Sequence, residues 1–183
     1  MTSRFCATSL LTLSAIISGC ASAPPPIKTA EQVDLSRFMG DWYVIANIPT
    51  FIEKQAYNAV ESYALADDGT IDTTFSFNKG GFDGKRKVYR PTGFIRDAES
   101  NAVWGMQFIW PFKAEYRVLH IDDDYEQTII GRTKRDFVWI MARTPEISAD
   151  DYFRHIKFLR DQGYDTSKVK PVPQNWAAAK TND

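Results

Sequence analysis

Short stretches in which apolar and polar residues alternate follow one another along the middle of the chain. In the segment 71–77, whose sequence is Ile-Asp-Thr-Thr-Phe-Ser-Phe, the alternation places both phenylalanines on one face of a strand. Turn signals such as Asp67-Asp68-Gly69 separate these stretches. The pattern predicts eight strands: 42–49, 57–66, 71–77, 85–95, 102–110, 114–121, 125–131 and 137–143.

The links between these strands are mostly short, and none has the length and periodicity of a crossover helix. Consecutive strands with hairpin-length links are antiparallel neighbours, and closing eight of them into an up-and-down barrel removes both sheet edges. We therefore predict an all-β fold built on such a barrel, with a two-sheet sandwich as the competing arrangement. Pro91 and Gly93 indicate an edge or a bend in the fourth strand, and residues 169–172 indicate a short final strand.

One amphipathic helix is predicted after the eight strands, packed outside the barrel. Ser148 is a suitable N-cap, and Gly163 is placed to end the helix. Ile156 and Leu159 belong to an apolar stripe at helical spacing, which indicates one buried face. His155 lies off the strongest part of this stripe, so we expect it to be a solvated residue rather than a ligand.

The composition agrees with one globular domain and limits its chemistry. The chain has 183 residues, of which 44% are hydrophobic, and a formal net charge of -1. Without a basic excess, nucleic acid is not expected as a partner. Cys6 and Cys20 are too few for a disulfide framework or a Cys-rich zinc site, and two histidines add little, so we expect no metal and no cofactor.

The amino-terminal residues have the pattern of an export signal. Arg4 precedes a mostly apolar run over 5–17, which is shorter than the ~20 residues of a membrane-spanning helix. The run ends in Ile17-Ser18-Gly19-Cys20, which resembles the lipobox of bacterial lipoproteins. This resemblance implies cleavage before Cys20 and acyl chains on its sulfur and on the new amino group. An ordinary signal peptide cleaved within 21–23 is the alternative.

The residues after this cysteine indicate the membrane and the organisation of the rest. Ala21 stands where lipoproteins retained in the inner membrane tend to carry aspartate, so the resemblance implies the periplasmic side of the bacterial outer membrane. Three consecutive prolines at 24–26 predict a short, stiff tether. The predicted organisation is a signal peptide (1–19), an acylated cysteine with a Pro-rich tether (20–30), a barrel domain with its helix (31–176) and a tail (177–183).

Three sequence patches resemble the lipocalin family. The first holds the G-x-W signature at Gly40 and Trp42. The second is Asp124-Tyr125 before the seventh strand, a partial match because Asp123 stands where threonine is usual. The third is the segment 137–145, Phe-Val-Trp-Ile-Met-Ala-Arg-Thr-Pro, which contains Arg143. In this order, over about 33–176, they resemble the bacterial outer-membrane lipoprotein lipocalins and their relatives near apolipoprotein D.

The resemblance implies structural roles for the signature residues. Trp42 is expected to bury its ring at the closed end of the barrel, where Leu35 and Phe38 help to cover it. Arg143 leaves the eighth strand, which neighbours the first in a closed barrel, and is expected to pack its guanidinium across Trp42. Such a cation–π contact is worth ~0.5–2 kcal/mol.

The inward faces of the strands are the predicted ligand site. An eight-stranded barrel can be filled by side chains or can hold one small ligand. The resemblance implies a small lipophile, such as a fatty acid or a lysophospholipid, stored or carried by a protein that its acyl chains hold at the membrane. The lumen candidates are Phe75 and Phe77 on the third strand, Trp104, Phe108 and Trp110 on the fifth, and Tyr116, Val118 and His120 on the sixth.

Other functions stay open at this point. The aromatic residues could fill a solid barrel whose outer surface docks a partner or a second copy in a homodimer. His120 could bind a ligand head group or satisfy a neighbour such as Tyr116. No nucleophile elbow, P-loop or H-E-x-x-H motif is present in the sequence, so no catalytic residue is predicted, although a lipocalin-fold enzyme acting on a bound lipid is a third alternative.

Overall fold

The computed structural model describes residues 26–176. Cys20 and the signal peptide, like the tail after Trp176, lie outside these residues. The described part contains two α-helices, ten strands and a 3₁₀ turn (Thr166–Lys168). The elements are α1 (Leu35–Phe38), β1 (Gly40–Ile48), β2 (Ala56–Leu65), β3 (Ile71–Lys79), β4 (Lys85–Tyr89), β5 (Thr92–Ile95), β6 (Val103–Ile109), β7 (Phe112–Ile121), β8 (Gln127–Gly131), β9 (Val138–Ala142), α2 (Ala149–Asp161) and β10 (Lys170–Pro171).

The strands form one closed antiparallel barrel. Pairing runs from β1 through β2, β3, β5, β6, β7 and β8 to β9, and β9 pairs back onto β1 at Tyr43 and Ala142. Up-and-down connection places successive links at alternating ends of the barrel. The predicted all-β barrel with eight antiparallel positions and one carboxy-terminal helix is confirmed. The described residues contain the whole barrel and its core, so this unit folds without the signal segment.

The predicted fourth strand is two strands. β4 and β5 both pair with β3, β4 next to its end and β5 next to its start at Ile71 and Gly93. The ladder breaks between them at Arg90 and Pro91. Proline has no backbone N–H to donate, so pairing stops where the sequence indicated a bend.

Helix α2 packs on the outer face of the barrel. The Ser148 hydroxyl accepts a hydrogen bond from the backbone N–H of Asp151 (3.0 Å), and Gly163 ends the helix with φ +85°. Leu159 joins a cluster with residues of β1, β8 and β9. The prediction of a solvated His155 is wrong: this side chain is only 7% exposed, and its Nε2 lies 2.7 Å from Gln127 Oε1. The helix buries a wider face than its apolar stripe.

The two ends of the barrel differ in construction. The end that carries α1 and the start of β1 is called the α1 end, and it also holds the connections 66–70, 96–102 and 122–126. The opposite end is called the loop end and is formed by the connections 49–55, 80–84, 110–111 and 132–137. Between residues 26 and 176, no helix is long and apolar enough to cross a membrane.

The residues before α1 lie along the barrel. Ile27 contacts the cluster under α2, and Ala30, from the segment predicted as tether, contacts the barrel core. The backbone N–H of Ala30 donates to the Val118 carbonyl (2.9 Å), and that of Val33 donates to the Ser100 carbonyl (2.7 Å). The chain therefore runs from the loop end to the α1 end before the first strand begins.

Candidate functional site

Aromatic rings fill the barrel interior at the α1 end. The Phe38 ring lies 5.2 Å from Trp42 and 5.4 Å from Trp104, measured between centroids. Trp104 stacks on Tyr116 at 5.1 Å, and the Tyr63 ring lies 5.6 Å from Phe38. Tilted and edge-on contacts of this kind are favourable arrangements of aromatic quadrupoles. This half of the interior is a packed plug.

Arg143 holds the plug in place from outside. Its guanidinium carbon lies 3.7 Å from the centroid of the Trp42 ring. The guanidinium also donates to backbone carbonyl oxygens at 2.7–2.9 Å, and these acceptors belong to Arg37, Met39 and Asp41. Helix α1 is one turn long and has carbonyls without helical partners, so Arg143 serves as their hydrogen-bond donor.

Gly40 and the turn before β8 complete this seal. Gly40 has φ +95°, and an added Cβ would lie 3.3 Å from Arg143 Nη1, so a side chain there would be both strained and crowded. The Tyr125 hydroxyl accepts a hydrogen bond from the backbone N–H of Asp34 (2.8 Å), while Asp124 is exposed in the same turn. The structure thus brings the three signature patches together at the α1 end.

Five of the eight lumen candidates line the interior. Phe75 and Phe77 lie 5.2 Å apart, and Phe77 stacks on Tyr89 at 6.2 Å. Trp104 and Tyr116 belong to the plug described above. The five buried candidates, all members of the same core cluster, are Phe75, Phe77, Trp104, Tyr116 and Val118.

The other three candidates do not belong to the buried core. The pairing of β6 with β7 shifts register after Met106, so alternation fails there, and Phe108 and Trp110 are exposed. A second shift, between Val118 and His120, turns His120 outward. Its ring lies 5.5 Å from Phe158 of α2. The prediction that His120 lines the lumen is therefore wrong, whereas Phe108 and Trp110 are exposed at the loop end rather than buried in the interior.

The interior also holds a carboxyl group that sequence reasoning missed. Glu61 on β2 is buried and accepts a hydrogen bond from the Tyr63 hydroxyl, whose oxygen is 2.5 Å from that of Tyr116. Burial raises the pKa of Glu61 to about 7, with a contribution from the nearby Glu53. The sequence contains a signal for this inward position, because Glu61 alternates with Ala59 and Tyr63 and so shares their inward face.

A second buried carboxyl closes the interior toward the loop end. Glu53 lies in the connection 49–55 and accepts hydrogen bonds from Asn47 Nδ2 (2.8 Å), Thr50 Oγ1 (2.7 Å) and Trp139 Nε1 (2.7 Å). Burial raises its pKa above the ordinary value, and the three donors oppose that shift. Glu53 therefore ties the connection 49–55 to β1 and β9.

Neither buried carboxyl group belongs to a metal-binding cluster in the described part of the chain. Among residues 26–176, no three or more His, Cys, Asp or Glu side chains converge in a group that could hold a metal ion. Two surface clefts, of about 470 and 520 Å³, lie outside the barrel, one beside α1 and one beside Trp176. The barrel interior is thus lined by apolar and aromatic side chains around the hydrogen-bonded Glu61.

We expect Glu61 to make stability depend on pH. The unfolded chain loses this proton near 4.5, whereas the folded chain keeps it up to about 7. The free energy of unfolding should therefore fall by about 3 kcal/mol as pH rises through this window. In Glu61→Gln this part of the fall should disappear and leave only the contribution of Glu53, whose pKa burial also raises, as measured by urea unfolding at a series of pH values.

His155 acts in the opposite direction and provides the control. Burial lowers its pKa to about 4, so its contribution to stability is lost as pH falls from 6.5 toward 4. In His155→Gln this contribution should vanish, leaving that of His120, whose pKa burial also lowers, while the Glu61 effect persists. Identical pH profiles for the parent protein and Glu61→Gln would refute the assignment of Glu61.

A family model described as a lipocalin-like domain matches residues 33–174. Temperature-induced lipocalin-1 of Arabidopsis thaliana is 30% identical over 165 residues, covering 85% of this chain and 87% of that protein. The outer membrane lipoprotein Blc of Escherichia coli K12 is 27% identical over 164 residues, covering 87% and 90%. Bovine apolipoprotein D is 26% identical over 155 residues, covering 75% and 71%.

Solved structures show the same fold. Insecticyanin from the tobacco hornworm Manduca sexta superposes with a TM-score of 0.66 at 20% identity, covering 85% of this chain and 88% of that one. The cockroach allergen Per a 4 superposes with a TM-score of 0.62 at 14% identity, covering 83% and 95%. At such identities the likeness concerns the barrel and its helix alone.

Proposed function

Because this chain belongs to the lipocalin family, we propose that its barrel binds one small lipophile, a fatty acid or a lysophospholipid. We propose further that acyl chains on Cys20 hold the protein at the periplasmic side of the bacterial outer membrane. Its role there is to store or carry membrane-derived lipid, without catalysis. The similarity over most of the chain to outer membrane lipoproteins of several bacteria supports this location.

The aromatic interior is the observation that carries the ligand proposal. Phe75, Phe77 and Tyr89 form a continuous apolar wall on β3 and β4, above the plug at the α1 end. An acyl chain of ~16 CH₂ groups gains ~13 kcal/mol of gross burial in such surroundings, at about 0.8 kcal/mol per group. Ordering and association costs remove much of this, which leaves micromolar to nanomolar affinity.

The buried acid favours an acyl ligand with a polar head. Below pH 7 Glu61 is mostly neutral, so its O–H is available to donate to a ligand carboxylate or ester oxygen. The Tyr63 and Tyr116 hydroxyls lie in the same hydrogen-bonded group. These three side chains give an otherwise apolar space one place for a polar head group.

The test is binding of a brominated fatty acid to the delipidated protein, followed by quenching of tryptophan fluorescence. Trp104 is buried in the barrel and Trp110 is exposed at the loop end, so they form a matched pair. We expect saturable quenching, a smaller quenched component in Trp104→Phe, and an unchanged one in Trp110→Phe. Mass spectrometry of the protein purified from membranes should recover the natural lipid.

A filled barrel that acts as an interaction lipoprotein is the second candidate. The contact of Phe38, Trp42, Trp104 and Tyr116 at the α1 end favours it, because these rings already occupy that half of the interior. If no lipid is recovered and no fatty acid quenches or displaces a bound probe, this second function replaces the first.

A further inference from the structure

Large apolar side chains are exposed at the loop end of the barrel. The hairpin between β6 and β7 carries Ile109, Trp110 and Phe112, which are 73, 81 and 76% exposed. Phe51, in the connection 49–55 at the same end, is 83% exposed. Soluble monomers rarely leave so many large apolar groups in water at one end, and such groups mark a surface that contacts a partner or a membrane. These four residues, with Phe108, are called the tip surface.

Charge is divided between the two ends of the barrel. At the α1 end, the segments 34–41, 66–70, 96–102, 122–126 and 143–151 hold thirteen acidic residues and only three basic ones. At the loop end, the segments 49–55, 79–85, 108–113 and 132–137 hold three acidic residues, among them the buried Glu53. The seven basic residues of the loop end are Lys54, Lys79, Lys85, Lys113, Arg132, Lys134 and Arg135.

Because of this division of charge, the electric field of a charged surface would orient the molecule. The formal net charge of -1 gives no general attraction to an anionic surface. With the acidic residues gathered at the α1 end, however, only the loop end is attracted to anionic lipid head groups, by roughly 1 kcal/mol for each basic residue close to the surface. The loop end is therefore the end that such a surface would select.

The amino-terminal segment reaches the barrel at the same end. The backbone N–H of Lys28 donates to Gln162 Oε1 (3.0 Å), and the Gln162 carbonyl accepts from Arg135 Nε (2.6 Å) in the connection 132–137. Five residues lie between Cys20 and Pro26, so these two positions are at most about 22 Å apart. An anchor at Cys20 is therefore within reach of the loop end.

We propose that the loop end docks on the surface of an anionic phospholipid bilayer, with the tip surface among the head groups and the basic residues around it facing lipid phosphates. Phe and Trp rings suit this boundary because they combine apolar area with a polar or polarisable edge. The acyl anchor at Cys20 rests on the function proposed above, whereas the exposure of the tip surface and the division of charge between the two ends do not. Docking would turn the loop end toward the source of the lipid.

A second copy of the chain is the less favourable cover for this surface. A symmetric dimer through the tip surface would place two basic loop ends against each other, and like charges across an interface cost binding energy. An anionic bilayer meets the same residues with charges of the opposite sign. The bilayer therefore satisfies both the apolar and the electrostatic character of this end.

The experiment is sedimentation of the protein beginning at Ala21, which retains the whole barrel, with vesicles of phosphatidylcholine alone or mixed with phosphatidylglycerol. We expect binding to the anionic vesicles that weakens with salt. The double variant Ile109→Ser, Phe112→Ser should bind at least about tenfold more weakly, because two apolar anchors are lost. Brominated lipids should quench Trp110, as judged by the difference from Trp110→Phe.

The matched control lies on α2, away from the loop end. Phe153 is 67% exposed, and Phe153→Ser should leave vesicle binding unchanged. Equal loss in Phe153→Ser, no loss in the double variant, or self-association that the double variant abolishes without any vesicle binding would overturn the proposal. Fatty acid binding in solution, measured on the same variants, separates the two ideas: its persistence without vesicle binding defeats only the docking surface.

Discussion

Replacement of Arg143 by alanine is expected to lower the free energy of unfolding by about 4 kcal/mol, as measured by urea unfolding. The truncation removes a cation–π contact with Trp42 and a set of charge-assisted hydrogen bonds in one step. The effect is large because one side chain donates at once to carbonyls of α1, of Met39 and of the start of β1. Without the Arg143 guanidinium, α1 is held less firmly against the aromatic plug that contains Trp42.

Two variants separate this role from a general effect of charge. Arg143→Lys keeps the charge but cannot present a planar fork to several carbonyls, so it should recover only part of the loss. Arg160 on α2 is exposed, and Arg160→Ala should change stability by no more than about 0.5 kcal/mol. If Arg143→Ala proves no more destabilising than Arg160→Ala, the seal at the α1 end is not what stabilises the barrel.

Substitution of Cys20 by serine is expected to move the protein from the membrane fraction to the soluble fraction of the cell. A serine hydroxyl does not form the thioether that carries the diacylglycerol, so every acyl chain is lost. Each buried CH₂ contributes about 0.8 kcal/mol, and stable anchoring takes two membrane signals, so the loss is close to all or none. Fractionation and incorporation of labelled palmitate measure it.

Cys6 supplies a matched control, because it lies within the predicted signal peptide and is the only other cysteine. Cys6→Ser should retain both the label and the membrane association. Fractions are to be washed with high salt, which removes protein held only through the basic loop end. Incorporation of labelled palmitate into Cys20→Ser, or retention of this variant in the washed membranes, would contradict the acyl anchor on Cys20.

Local pattern predicted the strands and the seal well. Alternating or β-rich runs bounded by turn signals indicated each barrel position, and the patches around Trp42, Tyr125 and Arg143 meet at one end as their likeness to lipocalins implied. Both inferences need only neighbouring residues or a shared motif. Pattern failed where the ladder shifts register, at Phe108 and His120, since one extra residue reverses the faces of everything after it.

The titration of the buried ionisable groups was equally beyond local pattern. Glu61 lies in a strand whose alternation places it inward, yet its hydrogen bonds come from Tyr63 and from Tyr116 on β7, far along the chain. His155 is buried between α2 and the barrel, where its Nε2 forms a hydrogen bond with Gln127 of β8. The pKa of each group follows from desolvation, which depends on what packs around the group in three dimensions.

The sequence by itself determined the all-β class, the closed barrel with its outer helix, and the signature residues, because these follow from periodicity and motif order. Only the tertiary structure decided which side chains face the interior, how the buried acids titrate, and where charge lies. An up-and-down barrel sends alternate connections to opposite ends, so a chain of net charge -1 separates an acidic end from a basic, aromatic one. That separation is a property of topology, and no sum over the sequence contains it.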